Sequence, residues 1–599
     1  MRLYAFTLIL LLLLSTMPAT ASSRTVLEAV FAAPAVSEDG KGSLINVSIK
    51  MSYPGSGRIG VRSGGEVDPT TIHSMRMAVI VAALYAGVDW RSIDVDVELE
   101  TRGSVAGPSG SLGVATMTYI LLARGHAPQG KFSITGAISP DGTASRVGSV
   151  DVKCMAASSR NYTFLYPLVN LTQQLSRSCP GAPVSSLLNA SLTILSSPEP
   201  LLTLNISLPQ GFNDAMRRAA EDLAGLASEI AREIPEGDAA VVEERLNRSR
   251  SVLDESPYAA ASLAFTGLLA GYQAYYRVKL LNSTNIYEEA LREADSLGSL
   301  ISNLTGKLDS LDPRGSIFYV EFLSTAYTRL ADAKSSLSEA RSLAESRSPM
   351  IDNIVSDLAL ARARVETIKA WIETASSLKD TGPTISMEVL AGIVDRYGNY
   401  TSEAVTYANS ILEYLIKNYN APRDVLGVRI NVVNQLMEEA RRYHDSGNYI
   451  AALGFYREAL SMTISQIFGF FLARSSPEIV DGYYRDLTTI HSMIQSQLAS
   501  RGLISGLALA YEEYSRILLE DQPATAIGLL EEAVATSMLW YMATLKPLSQ
   551  GQTTVIGGGA AWLTDPEATV VVAVASYILG ILIAGRYIVG VSRRILHEV

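Results

Sequence analysis

Near residue 206 the periodicity of this chain changes, and that change limits what the chain can fold into. Before it, apolar residues alternate in short runs between glycine turns. After it, glycine thins out and apolar residues recur every three to four positions over long stretches. A chain of 599 residues with such a switch holds more than one domain. The expected fold class is an α/β (α+β) domain over 24–206, followed by a large all-α helical array over 212–548.

The first part reads as alternating elements. Segments 43–51, 58–63 and 93–100 have strand character, the last setting Val95, Val97 and Leu99 against acidic residues. Segments 71–87, 112–124 and 150–159 have helix length and pattern. Segment 131–138 reads as one strand, Asp141-Gly142 as a hairpin turn, and 163–166 as a short strand before Pro167. In the second part, Met216, Ala219, Leu223, Leu226, Ile230 and Ile234 form a stripe opened by Asn213 and Asp214 as a cap. Ile351, Ile354, Leu358, Val365, Ile368 and Ile372 form another. Such stripes are seams between helices. The stretch 440–460 is similar to a tetratricopeptide helix pair, with a fainter echo over 511–533, so the array is expected to be TPR-like in part.

Both ends are apolar. Arg2, the run 3–14 and the small residues Ala19, Thr20 and Ala21 read as a signal peptide over 1–21. Residues 549–566 read as a linker containing Gly557, Gly558 and Gly559. Residues 567–590 read as a transmembrane helix, and 591–599, with Arg593 and Arg594, as a cytoplasmic tail. On this reading the chain is a single-pass protein of the cell membrane, held by its C-terminal helix, with its N-terminal domains extracellular. Nine Asn-x-Ser/Thr sequons fit export: Asn46, Asn161, Asn170, Asn189, Asn205, Asn247, Asn282, Asn303 and Asn399. The two cysteines, Cys154 and Cys179, either pair as one disulfide or stay as two buried thiols. A net charge of −11 without a basic stretch argues against nucleic acid as a partner.

The chemistry concentrates in two places. Gly107, Pro108, Ser109, Gly110 and Ser111 form a glycine-flanked turn at the start of a helix, where a serine can be a nucleophile. Lys153 lies among Val150, Val152, Met155, Ala156 and Ala157, where a desolvated amine can serve as its base. Ser109 follows Gly-Pro and is the favoured nucleophile; Ser111 is the competitor. Backbone N–H groups at the head of the helix, Gly110 among them, can hold an oxyanion. Gly125 to Lys131 matches a phosphate-loop spacing, but Phe132 stands where Ser or Thr is needed, so it reads as a turn. No other nucleotide motif and no zinc motif is present, so no cofactor or nucleotide is expected.

The order of these pieces resembles the proteolytic domain of the Lon family. Gly107-Pro108-Ser109 is similar to its nucleophile turn. Ile134-Thr135-Gly136, Asp141-Gly142-Thr143 and Val147-Gly148 follow in order, then Lys153 with Cys154-Met155-Ala156-Ala157 as the lysine helix. The closest likeness is to secreted or membrane-anchored archaeal Lon-like proteases without the ATPase module. The resemblance implies an ATP-independent serine endopeptidase with a Ser109–Lys153 dyad, Thr135 orienting the amine, polypeptide substrates and a homo-oligomer. The chain departs from the family at Ala106, which replaces an acidic residue, and at Ser149, which replaces a glycine. One extra residue separates serine from lysine. These departures leave a second reading open, an inactive cell-surface scaffold whose helical array binds protein partners.

Overall fold

A computed structural model describes residues 24–548, apart from residues 38, 197–205, 420–422, 466–471 and 473–474. The first part is a seven-stranded mixed sheet, in the order β3-β4-β2-β1-β5-β8-β9. Its strands are β1 (Thr25–Val36), β2 (Gly42–Tyr53), β3 (Ile59–Ser63), β4 (Asp94–Leu99), β5 (Phe132–Ile134), β8 (Thr163–Pro167) and β9 (Ala182–Val184). A separate hairpin pairs β6 (Ala137–Ile138) with β7 (Ala144–Ser145). The long pair β1–β2 is antiparallel, whereas β1–β5, β5–β8 and β8–β9 are parallel.

Helices cover both faces of the sheet. They are α1 (Pro69–Tyr85), α2 (Ser111–Arg124), α3 (Val150–Ser158), α4 (Gln173–Ser178) and α5 (Leu187–Leu195). Side chains alternate along a strand, so one face of β1 brings Phe31 against Gly113 of α2. On the other face, Leu44 packs with Val150, Cys154 and Ala157 of α3. Helix α1 starts two residues before the expected boundary, because the Asp68 carboxylate accepts from the Thr70 amide and Pro69 takes the first turn.

The array then runs α6 (Gln210–Ala231), α7 (Glu236–Val252), α8 (Pro257–Leu281), α9 (Ile286–Asp309), α10 (Ile317–Glu345), α11 (Ile351–Leu378), α12 (Met387–Tyr419), α13 (Arg423–Asp445), α14 (Tyr449–Thr463), α15 (Pro477–Ala499), α16 (Gly506–Leu518) and α17 (Pro523–Tyr541). Phe212, Phe318, Phe322 and Trp371 join α6, α10 and α11 at ring separations of 5.5 to 5.7 Å. Buried Glu321 accepts from Ser505 Oγ, the Leu507 amide and Trp540 Nε1, tying α10 to α16 and α17. The segment similar to a tetratricopeptide pair is α13 followed, across a three-residue turn, by α14.

Several expectations are corrected. Among the described residues no helix is long and apolar enough to cross a membrane. The expected transmembrane helix over 567–590 is therefore not supported as part of the fold class. That segment lies outside the described residues, as do the signal peptide, linker and tail. Segment 131–138 is two strands, broken at Thr135 and Gly136. Helix α6 begins at Gln210, so Asn213 and Asp214 sit inside it rather than capping it. The 12-residue β1 carried no expectation at all.

The sheet domain and the array belong to one compact unit. The tip of the β6–β7 hairpin is plugged into the array. Tyr85 on α1 and Tyr400 on α12 donate to the carbonyls of Asp141 and Pro140, and Tyr483 on α15 donates to Thr143 Oγ1 at 2.6 Å. Burial pushes the carboxyl groups of Asp141 and Glu531 above their ordinary values at this junction. The cause is loss of water around each group, which disfavours the charged carboxylate.

Candidate active site

The turn before α2 is built around two glycines. Gly107 has φ +97°, and a Cβ there would stand 2.9 Å from the Tyr414 hydroxyl oxygen. Gly136 has φ +150°, and its Cβ would stand 2.6 Å from Leu112 Cδ2. Both positions therefore require glycine. The Gly136 amide donates to the Ser109 carbonyl at 2.7 Å, and the Leu112 amide donates to the Gly136 carbonyl at 3.0 Å. The strand break at Thr135 and Gly136 thus fixes the turn that presents Ser109.

Ser109 is half-buried and lines a cavity of about 560 Å³. Lys153 lines the same cavity and is 6% exposed. Its Nζ donates to Thr135 Oγ1 at 3.3 Å, and Thr135 Oγ1 donates to the Ser109 carbonyl at 3.2 Å. Fully buried Thr135 therefore links the amine to the backbone of the serine. Burial alone pulls the Lys153 ammonium down from 10.5 to about 8, since loss of water disfavours the charged form. Among the described residues the Ser109 hydroxyl makes no hydrogen bond, including none to Lys153. Catalytic hydrogen bonds often tighten only when substrate binds.

Ser111 is placed differently. It is fully buried, its Oγ donates to the Pro108 carbonyl at 2.8 Å, and it accepts from the Ile138 amide at 2.9 Å. It does not line the cavity. Its hydroxyl anchors the β6 strand to the turn. Gly110, which lines the cavity, is the cap of α2. Its amide donates to no protein group among the described residues and is free to meet an anion at the positive end of the helix dipole.

Helix α3 is entered through Ser149 at φ 55°, a left-handed conformation that a glycine adopts at no steric cost. The apolar surroundings of Lys153 differ from expectation. Met155 is 62% exposed, and the buried face of α3 is Val150, Lys153, Cys154 and Ala157. Cys154 and Cys179 form a disulfide, clamping the lysine helix to the end of α4. Asn170 holds Val147 from both sides, its Nδ2 donating to the Val147 carbonyl at 2.7 Å and its Oδ1 accepting from the Val147 amide at 3.1 Å. That side-chain amide is occupied, whereas the sequon residues Asn46, Asn161, Asn247, Asn282, Asn303 and Asn399 are exposed, Asn46 donating to Glu100 and Asn247 accepting from Arg250. Asn189 is half-buried, and Asn205 lies outside the described residues. Gly125 ends α2 in a left-handed turn, which explains the spurious phosphate-loop spacing.

Sequence reasoning missed the contribution of α12. Tyr400, Tyr407 and Tyr414 recur every seven residues, two helical turns, and so lie along one face. Tyr400 meets Pro140, Tyr407 neighbours Ser111 and Tyr414 covers Gly107. That spacing was the available signal. In comparisons with known proteins, the chain matches no family model and no curated protein.

Proposed function

We propose that this chain is an ATP-independent serine endopeptidase of the Lon-like kind, with Ser109 as nucleophile and Lys153 as general base. What supports the reading above all is one linked group: a dry lysine amine, bound to Thr135, which in turn holds the backbone of a serine on the same cavity wall. With its value near 8, about a tenth of Lys153 is neutral at pH 7, enough to accept a proton.

In the first step Ser109 Oγ bonds to the carbonyl carbon of the peptide, and its proton passes to Lys153 Nζ. The carbonyl electron pair moves to oxygen, which the Gly110 amide receives. The C–N bond then breaks as the Lys153 ammonium returns the proton to the leaving amine, giving an ester on Ser109. Water attacks that ester with Lys153 again taking the proton, and the acid is released as the proton returns to Ser109 Oγ. Removing one oxyanion donor in such sites typically costs about 2.7–4 kcal/mol.

The second reading, an inactive binding scaffold, draws on one observation, the missing hydrogen bond between Ser109 and Lys153. Cleavage of unfolded casein by the full chain separates the two. The hydrolase reading expects cleavage that is lost in both Ser109→Ala and Lys153→Ala. A chain that leaves casein intact, or cleaves it equally in either variant, supports the scaffold.

A further inference from the structure

The cavity holding Ser109 and Lys153 is not enclosed by the sheet domain alone. Ile411, Tyr414 and Leu415 of α12 line it, more than 250 residues downstream of the serine. The helix is fixed to the site's own elements along its length. Arg76 of α1 pairs with Glu403 at 2.5 Å, and Thr70 Oγ1 donates to the Ser410 carbonyl at 2.9 Å. The Tyr414 ring covers Gly107, two residues before the serine. Movement of this helix would therefore disturb the nucleophile turn, so its side chains form a fixed wall.

The chemistry of the cavity is one-sided. Its lining is mostly apolar and, among the described residues, carries no acidic side chain. Among the described residues its charged groups are buried Lys153 and exposed Arg146. Arg146 makes no ion pair or hydrogen bond among the described residues. A guanidinium left without a carboxylate beside an apolar cleft suits a ligand that supplies one.

We infer that the helical array sets the specificity of this cleft: Ile411, Tyr414 and Leu415 form the wall against which an apolar side chain of the substrate seats, and Arg146 pairs with an acidic residue beside it. The substrate class is an extended, unfolded peptide with an apolar anchor and an acidic flank. This rests on the hydrolase reading above. It assigns specificity to a helix outside the domain that carries the dyad.

The test uses the full chain and fluorogenic peptides. One series varies the residue before the scissile bond among Ala, Leu, Phe and Trp; the other varies its neighbour among Glu, Gln and Lys. Wild type should favour an apolar anchor and Glu over Lys. Tyr414→Ala should shift preference toward Phe and Trp by roughly tenfold or more in relative kcat/KM, the scale at which pocket size discriminates. Leu415→Trp, which narrows the same wall, should shift it toward Ala and provides the answer if Tyr414→Ala does not fold. Arg146→Gln should remove the Glu preference, a change of about threefold to fivefold for an exposed pair. Ser109-dependent cleavage with unchanged preferences in all three variants overturns this inference and leaves the hydrolase reading standing. Absence of Ser109-dependent cleavage in wild type overturns the hydrolase reading itself.

Discussion

Replacing Lys153 by Met should abolish hydrolysis and stabilise the protein at neutral pH. The amine is 6% exposed, and burial lowers its value from 10.5 to about 8. At 1.36 kcal/mol for each tenfold change in proton affinity, holding the ammonium in the fold costs about 3 kcal/mol. Between about 8 and 10.5 the unfolded chain binds more protons at this site than the folded one, so wild-type stability rises with pH across that window. Below pH 8 the full cost applies. Lys153→Met removes it, so urea unfolding at pH 7 should show a gain of up to about 3 kcal/mol that shrinks as pH rises toward 10.5. On the proposed mechanism the same amine sets the rate profile. For a base titrating near 8, wild-type kcat/KM should rise about tenfold from pH 7 to 9 and level off. An ordinary lysine at 10.5 would give about a hundredfold rise over that interval with no plateau. Lys153→Met that is active, or less stable than wild type at pH 7, would refute the reasoning. So would a profile still climbing steeply at pH 9.5.

Three further outcomes are expected. Thr135→Val keeps the side-chain shape but removes the hydroxyl between the Lys153 amine and the Ser109 carbonyl; kcat should fall by roughly tenfold to a hundredfold with KM little changed, the pattern of a misaligned base, and an unaltered kcat in stopped-flow or steady-state assays would speak against the link. Ser111→Ala leaves the Ile138 amide without its acceptor, so denaturant unfolding should show a loss of about 1–3 kcal/mol while Ser109 still reacts; complete loss of turnover in a stably folded Ser111→Ala chain would move the nucleophile to that residue. Joint replacement of Cys154 and Cys179 by Ala opens a 25-residue closure and should lower stability by about 3 kcal/mol, read by urea titration; an unchanged midpoint would contradict the clamp on α3.

The parts legible in the sequence were those with local causes. The turn at Gly107 to Ser111, the Asp141-Gly142 hairpin and the lysine helix are each signalled by a few adjacent residues, and the structure has a turn, a hairpin and a helix there. The environment of Lys153 was read from its immediate neighbours, and there the reading failed in part. On a helix the neighbours that share a face are three and four residues away, so Val150 and Ala157 bury with it while Met155 points to solvent. The break at Thr135 and Gly136 was hidden because a strand pattern of eight residues carries no sign of a φ of +150° at its centre. The wall from α12 was hidden for a different reason. Its contacts with Gly107 and Pro140 span some 260 to 300 residues of sequence, and only the seven-residue recurrence of tyrosine hints at them. The apolar C-terminal segment had the composition of a span but a charge-free run near the lower limit of length.

The identity of the attacking oxygen is tested most directly by covalent capture. The full chain is treated with a peptidyl phosphonate that bonds to an activated serine, then digested and mapped by mass spectrometry. The account predicts a single adduct on Ser109, formed faster at pH 9 than at pH 7 and absent from the Lys153→Met chain. An adduct on Ser111, or steady peptide cleavage by a chain whose Ser109 remains unmodified, would contradict it.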